Sequence, residues 1–97
     1  MEEALVLENK VMDNYYLKID CPPGLVKPDT ILSTILLNTD LTINDFKNTS
    51  CCFGEWTFNI YENKIDLFKL HFDEIVTKLK KSYASGQIRY AEFNCPE

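Results

Sequence analysis

The fold is decided by residues 53–93, which read FGEWTFNIYENKIDLFKLHFDEIVTKLKKSYASGQIRYAEF. Near the start of this stretch, Trp56, Phe58 and Ile60 alternate with polar residues, a period of two that is typical of a strand with one buried face. Over residues 65–83, apolar side chains recur every three or four positions, as they do on the buried side of an α-helix. The end of the stretch predicts another strand. The stretch therefore predicts a strand, a long helix and a strand that pack as one unit.

The boundaries of the long helix are predicted from residue types that favour helix ends. Asn63 is expected to cap its first turn, and Asp66 places a negative charge near the positive end of the helix dipole. Gly86 is expected to end the helix, because a left-handed backbone is needed there. The strand that follows is predicted over residues 87–93, centred on Ile88 and Tyr90.

The N-terminal half predicts a second strand and a second helix. Residues 15–21 alternate with a period of two, which places Leu17 and Ile19 on the core side. Pro28 suits the first turn of a helix over residues 28–37, since its missing N–H is no loss there.

Two segments are less well specified. In residues 39–52 a short strand near Ile43 is one interpretation, and residues 47–50 are interpreted as a turn. Residues 1–12 are a poorly specified lead-in, with an edge strand near Ala4 as one interpretation.

The fold class that follows is α+β, with two helices on one face of a mostly antiparallel sheet, as in a ferredoxin-like split βαβ arrangement. At 97 residues and 11.3 kDa, residues 1–97 are expected to form a single domain, because smaller pieces would not bury a core.

Composition excludes several function classes. The formal net charge of −5 disfavours direct nucleic-acid binding, which relies on Lys and Arg to neutralise phosphates. No segment is apolar over the roughly 20 residues that a membrane helix requires. The acidic N-terminus does not resemble a secretory signal, so a cytoplasmic location is expected.

Metal, cofactor and catalytic sites are not predicted. The four cysteines, Cys21, Cys51, Cys52 and Cys95, contain no C-x-x-C spacing, and reduced thiols without a metal role are expected. His71 beside acidic residues is a candidate general base, but helical spacing places it next to the core-facing stripe and a structural role is favoured. Asp40 and Asp45 are a candidate cation site, although acidic residues in such positions are more often simply solvated at the surface. The chain is therefore not expected to be an enzyme.

A family resemblance is carried by three motifs: Tyr15-Tyr16-Leu17-Lys18-Ile19, then Pro28-Asp29-Thr30-Ile31-Leu32-Ser33-Thr34-Ile35-Leu36, and Gly54-Glu55-Trp56-Thr57-Phe58. With the long helix, they resemble a small bacterial family catalogued as a domain of unknown function. The chain departs from that family by lacking a basic, tryptophan-bearing loop after the first helix. The resemblance implies a toxin-immunity role, because some of its members are associated with toxins.

The leading functional hypothesis is a small acidic inhibitor of the toxin-immunity or phage anti-defence type, which binds and neutralises a basic macromolecule such as a toxin or nuclease. A negative net charge would accelerate association with a basic partner. Strand phase and loop position single out six candidate partner-binding residues: Asp20, Asp40, Asp45, Glu55, Tyr61 and Glu62. The alternative is a structural or regulatory subunit that forms a homodimer.

Overall fold

The structure is a computed structural model that describes residues 10–24, 26–50 and 55–96. Within these ranges four strands, two α-helices and two 3-10 turns follow one another. In chain order they are β1 (Val11–Asp20), α1 (Pro28–Ile35), a 3-10 turn (Ile43–Asp45), β2 (Phe46–Asn48), β3 (Glu55–Tyr61), a second 3-10 turn (Glu62–Lys64), α2 (Ile65–Ala84) and β4 (Tyr90–Asn94). The predicted edge strand near Ala4 lies outside the described residues, as do Cys51 and Cys52.

The four strands form one antiparallel sheet in the order β2-β3-β1-β4. Helix α1 connects β1 to β2, and β3 lies between those two strands. Helix α2 connects β3 to β4, and β1 lies between them. The predicted α+β class, with an antiparallel sheet and two helices, is confirmed.

Both helices contribute to one core on one face of the sheet. Leu17 in β1 pairs with Phe58 in β3 and with Phe93 in β4, so these three side chains share a face. The core against this face contains residues of both helices. Its most deeply buried members are Leu17, Ile19, Leu32, Ile60, Phe68, Ile75, Leu79 and Ile88.

The C-terminal end of α1 is fixed by a lysine from α2. The Lys78 ammonium donates to the backbone carbonyls of Ile35 and Leu37, each at 3.0 Å, and lies 3.0 Å from the Glu74 carboxylate. The last carbonyls of a helix have no partner within the helix, so Lys78 satisfies groups that would otherwise need water. Asn38 follows with φ of 70°, a left-handed conformation that is typical after the end of a helix. Helix α1 ends two residues earlier than predicted.

The two ends of α2 differ in how well they were predicted. Gly86 has φ of 83° directly after the last helical turn, as expected for a left-handed C-terminal residue. Asn63 does not cap the helix, because it lies in the preceding 3-10 turn, and Lys64 occupies the N-cap position without a side-chain hydrogen bond.

Two strands are displaced from their predicted positions. Ile43 lies in a 3-10 turn and not in a strand. The strand in this segment is β2, which includes Lys47 and Asn48 from the predicted turn, because Phe46 pairs with Ile60 and buries its ring in the core. The last strand begins at Tyr90, and Ile88 is a buried residue of the loop before it.

Strand β1 contains an irregular bulge. Val11 lies opposite Tyr61, and Tyr16 lies opposite Asn59, so β1 has four residues in the interval where β3 has only Ile60. A bulge of this kind bends a strand and leaves backbone groups without ladder partners.

The side chain of Asn59 supplies partners for that backbone. Its amide nitrogen donates to the carbonyls of Met12 at 3.0 Å and Asp13 at 3.3 Å. Its carbonyl oxygen accepts a hydrogen bond from the Thr49 hydroxyl at 2.6 Å. Asn59 is only 6% exposed, so these bonds form where water cannot easily replace them.

Candidate functional site

The face of the sheet opposite the helices is not covered by either described helix. The residues on it alternate along the strands with those that point into the core. We call it the uncovered face, and its described residues include Tyr16, Lys18, Asp20, Lys47, Glu55, Thr57, Asn59, Tyr61, Tyr90, Glu92 and Asn94. Asn59 is buried among them, and the face as a whole is polar and carries three tyrosines.

At the β1–β4 side of the uncovered face, two tyrosines share one carboxylate. The Tyr16 hydroxyl donates to Oε2 of Glu92 at 2.7 Å, and the Tyr90 hydroxyl donates to Oε1 at 2.7 Å. The Lys18 ammonium lies 3.8 Å from Oε1. Both oxygens of Glu92 are thus engaged, and the two phenol rings are held in fixed orientations.

These contacts shift the acidity of all three groups. The hydrogen bond to Glu92 raises the pKa of Tyr16 and of Tyr90 above the ordinary tyrosine value. The hydrogen bond from Tyr16 makes the largest contribution to lowering the pKa of Glu92, and the hydrogen bond from Tyr90 and the charge of Lys18 lower it further. At neutral pH the cluster therefore consists of two neutral phenols bound to an ionised carboxylate, which suits recognition better than proton transfer.

A second charged group lies at the other end of the same strands. The Arg89 guanidinium donates to both carboxylate oxygens of Asp20, at 3.0 and 3.3 Å, and the Arg89 N–H donates to the Asp20 carbonyl at 2.8 Å. Glu55 lies opposite Asp20 in the β1–β3 pair. Of the six predicted partner-binding residues, Asp20 and Glu55 are the two that the fold brings together.

Of the other four predicted residues, Tyr61 lies on the uncovered face at the end of β3, because it alternates in phase with Glu55, Thr57 and Asn59. Asp40, Asp45 and Glu62 lie outside the strands. The Asp45 carboxylate accepts a hydrogen bond from the Thr42 N–H at 2.9 Å and lies 3.7 Å from the Lys64 ammonium, so it fixes the turn before β2. Tyr61 ends β3, and the N–H of Glu62 bonds to the backbone preceding β1 at 2.7 Å. Asp40 lies beside α2, where its carboxylate contacts His71.

His71, on α2, lies between two carboxylates where that helix meets the loop after α1. Its Nε2 lies 3.3 Å from Asp40 Oδ2, and its Nδ1 lies 3.6 Å from Glu74 Oε1. The hydrogen bond from Lys78 lowers the pKa of Glu74, with a smaller contribution from His71. Among the described residues there is no group of three or more His, Cys, Asp or Glu side chains that could hold a metal ion.

The buried thiol of Cys21 is not placed for reaction. It is 4% exposed, and burial followed by the charge of Asp20 raises its pKa. A thiol held in its protonated form is a poor nucleophile and a poor metal ligand.

The acidity of the chain is unevenly distributed. All ten basic residues lie in the described ranges, whereas Glu2, Glu3, Glu8 and Glu97 lie outside them. The described residues are consequently close to neutral as a group, and most of the net charge of −5 comes from residues near the two termini.

Several residues of the uncovered face were not among the predicted candidates, namely Lys18, Tyr90 and Glu92, and neither was Arg89, which pairs with Asp20. Strand alternation does place Tyr16 and Lys18 on the polar side of β1. The position of Glu92 between two tyrosines depends on the β1–β4 register, which no local pattern encodes.

Comparisons with models of known protein families, with curated proteins and with solved structures each found no match for this chain. In the described part of the chain, neither helix has the length and apolar character needed to cross a bilayer.

Proposed function

We propose that this protein is a non-catalytic inhibitor that binds and neutralises another macromolecule, of the toxin-immunity or phage anti-defence type. The observation that carries the proposal is the pair of tyrosines held on one carboxylate on the uncovered face. Tyr16 and Tyr90 both donate to Glu92 at 2.7 Å, in a surface that no described helix covers.

Such a cluster suits a protein-binding surface. Tyrosine is enriched among the residues that contribute most to binding energy, because it combines a large apolar ring with a hydrogen-bonding tip. A ring that is already oriented loses less side-chain entropy when a partner binds. Neighbouring polar residues such as Thr57 and Asn94 supply hydrogen-bonding groups around the rings.

We propose further that the target is basic, as a nuclease or a toxin would be. Glu55 places a carboxylate beside the Asp20–Arg89 ion pair at one end of the uncovered face, and the net charge of −5 attracts a cationic partner over longer distances. Electrostatic steering of this kind raises association rates by roughly 10–1000-fold at low salt.

We also assign the chain to the ferredoxin-like split βαβ arrangement. The support is the strand order β2-β3-β1-β4 with antiparallel neighbours. In addition, the two strands that each helix connects are separated in the sheet by one other strand.

The experiment is an inhibition assay against a panel of purified basic nuclease toxins. The proposal expects one of them to be inhibited at a one-to-one ratio, with an association rate that falls steeply between low and high salt. Inhibition with a salt-independent rate would remove the basic target from the proposal, and the absence of inhibition across the panel would count against the inhibitor itself.

Sedimentation of the isolated chain at micromolar concentration separates the inhibitor from the homodimer hypothesis. The inhibitor is expected to sediment as a monomer with its uncovered face free. A stable dimer that dissociates when Tyr16 is changed to Ala would instead assign the same face to self-association.

A further inference from the structure

Strand β4 forms one edge of the sheet. It pairs with β1 on one side, and no described strand pairs with its other side. An edge strand presents backbone N–H and C=O groups that a further strand can bind, and peptide-binding domains use this mode of recognition. The free side of β4 is separate from the uncovered face, although Tyr90 borders both.

A groove lies beside this edge, between α2 and β4. Its volume is about 320 Å³, and its lining consists of Leu79, Lys80 and Tyr83 from α2 with Tyr90, Ala91 and Phe93 from β4. Tyr83 is 59% exposed and Tyr90 is 44% exposed, which is unusual for such large side chains. Tyr83 was expected in the core-facing stripe of the helix, and instead it forms the rim of this groove.

A second depression continues along the same helix and strand direction. It measures about 400 Å³ and is lined by Lys69, Phe72 and Asp73 of α2 with Cys95 and Pro96 after β4. From Ala91 to Cys95 an extended chain covers about 13 Å, so a strand of about five residues spans both depressions. Alternate side chains of that strand would face them.

We call the two depressions together the seam, and the charges along it define the chemistry of its occupant. Lys80 lines the first depression and Lys69 lines the second, whereas Asp73 is the single carboxylate among the described residues of either lining. Lys80 forms no ion pair within the described part of the chain. An occupant with apolar residues in its middle and carboxylates at its ends therefore matches the seam.

A second copy of this chain matches the seam poorly. A two-fold antiparallel pair of β4 strands centred at Glu92 would place that carboxylate opposite its own copy, and directly opposed like charges are destabilising. That pairing is therefore disfavoured as the occupant of the seam.

We propose that an extended segment of a partner protein, with apolar side chains at alternate positions and carboxylates at both ends, pairs with the outer edge of β4 as a fifth strand. Its apolar side chains fill the seam between α2 and β4, and its carboxylates approach Lys80 and Lys69. This proposal does not depend on the inhibitor function, because it concerns a different surface.

The test uses a fluorescein-labelled synthetic peptide of sequence Glu-Thr-Leu-Thr-Leu-Thr-Glu, with blocked ends, and fluorescence anisotropy on the full chain. The sequence reads the same in both directions, so it fits a parallel or an antiparallel approach. We expect saturable binding that is weakened about tenfold by Lys80→Glu, since reversal turns an attraction into a repulsion.

Matched controls identify the surface. Lys81→Glu makes the same charge change one residue away, outside the lining of the groove, and is expected to leave the affinity within about twofold. A peptide with Pro in place of the central Thr is expected to lose binding, because Pro lacks the N–H that strand pairing needs. Bound peptide is also expected to slow amide hydrogen exchange within residues 90–94.

Three results would overturn the proposal: no binding of the peptide, equal weakening by Lys80→Glu and Lys81→Glu, or exchange protection that falls outside β4. Circular dichroism of both lysine variants, whose side chains are exposed, checks that each retains the native fold.

Discussion

Replacing Asn59 by Ala tests whether a single side chain holds the β1 bulge. The change removes hydrogen bonds to the carbonyls of Met12 and Asp13 and from the hydroxyl of Thr49, at 3.0, 3.3 and 2.6 Å. Each such bond contributes about 0.5–1.5 kcal/mol net, and the bond at 3.3 Å is the weakest of the three. We therefore expect the free energy of unfolding to fall by about 2–3 kcal/mol, and Tm to fall by roughly 10–20 °C.

Urea unfolding followed by the fluorescence of Trp56 measures this loss, because Trp56 is the only tryptophan and lies half-buried in β3. The matched control is Asn94→Ala, which removes one exposed hydrogen bond, to the Asn14 carbonyl at 2.9 Å. Water can replace that bond, so a loss below about 0.5 kcal/mol is expected. If the two variants lose the same stability, the bulge does not depend on Asn59 and the reasoning fails.

Three further predictions concern the acidity of the uncovered face, the contact between the helices, and the core. In a carboxyl NMR titration, the pKa of Glu92 is expected to lie below the ordinary glutamate value, so the stability that its ionised form contributes is present above the ordinary value and is lost as the pH falls through the folded-state pKa. Tyr16→Phe is expected to raise the pKa of Glu92, and an unchanged titration curve would rule out that hydrogen bond. Lys78→Met is expected to cost about 1 kcal/mol in urea unfolding through its carbonyl contacts at the end of α1, whereas Lys81→Met should stay within about 0.5 kcal/mol; equal costs would show that the contacts contribute nothing. Phe68→Ala is expected to cost roughly 3–5 kcal/mol in the same assay because its ring is fully buried, and a cost under 1 kcal/mol would contradict that burial.

The elements with strong local patterns were predictable from sequence. The alternation of Phe58 and Ile60 identified β3, and the recurrence of Phe68, Ile75 and Leu79 identified α2 and its core face. These patterns persist in the structure because the side chains that create them are the ones that the core buries.

Strand β2 was not predictable in the same way. Its three residues include polar Lys47 and Asn48, and they are extended because Phe46 pairs with Ile60 across the sheet. That contact is not visible in the local sequence, where residues 47–50 are typical of a turn. The start of α2 shows a similar limit, since a 3-10 turn takes the place of the expected Asn63 cap.

The candidate site was predictable only in part. Strand phase placed Asp20 and Glu55 on the polar side of the sheet, where they are neighbours. The approach of Glu92 to Tyr16 required the pairing of β1 with β4, which lie at opposite ends of the chain, whereas Tyr90 is two residues from Glu92 on the same strand. Asp45 was selected as a binding residue for its charge, but in the fold its carboxylate already contacts the Thr42 N–H and the Lys64 ammonium.

The most direct test of the central claim is the affinity of an inhibited basic nuclease for three forms of this chain, measured by titration calorimetry. These are the unaltered chain, a Tyr16→Ala and Tyr90→Ala double variant, and a Leu70→Ala control whose exposed side chain lies on α2. Two interface tyrosines at about 1.4 kcal/mol each predict a loss of about 100-fold for the double variant and no change for the control. Equal affinity for all three forms would show that the uncovered face is not where the target binds.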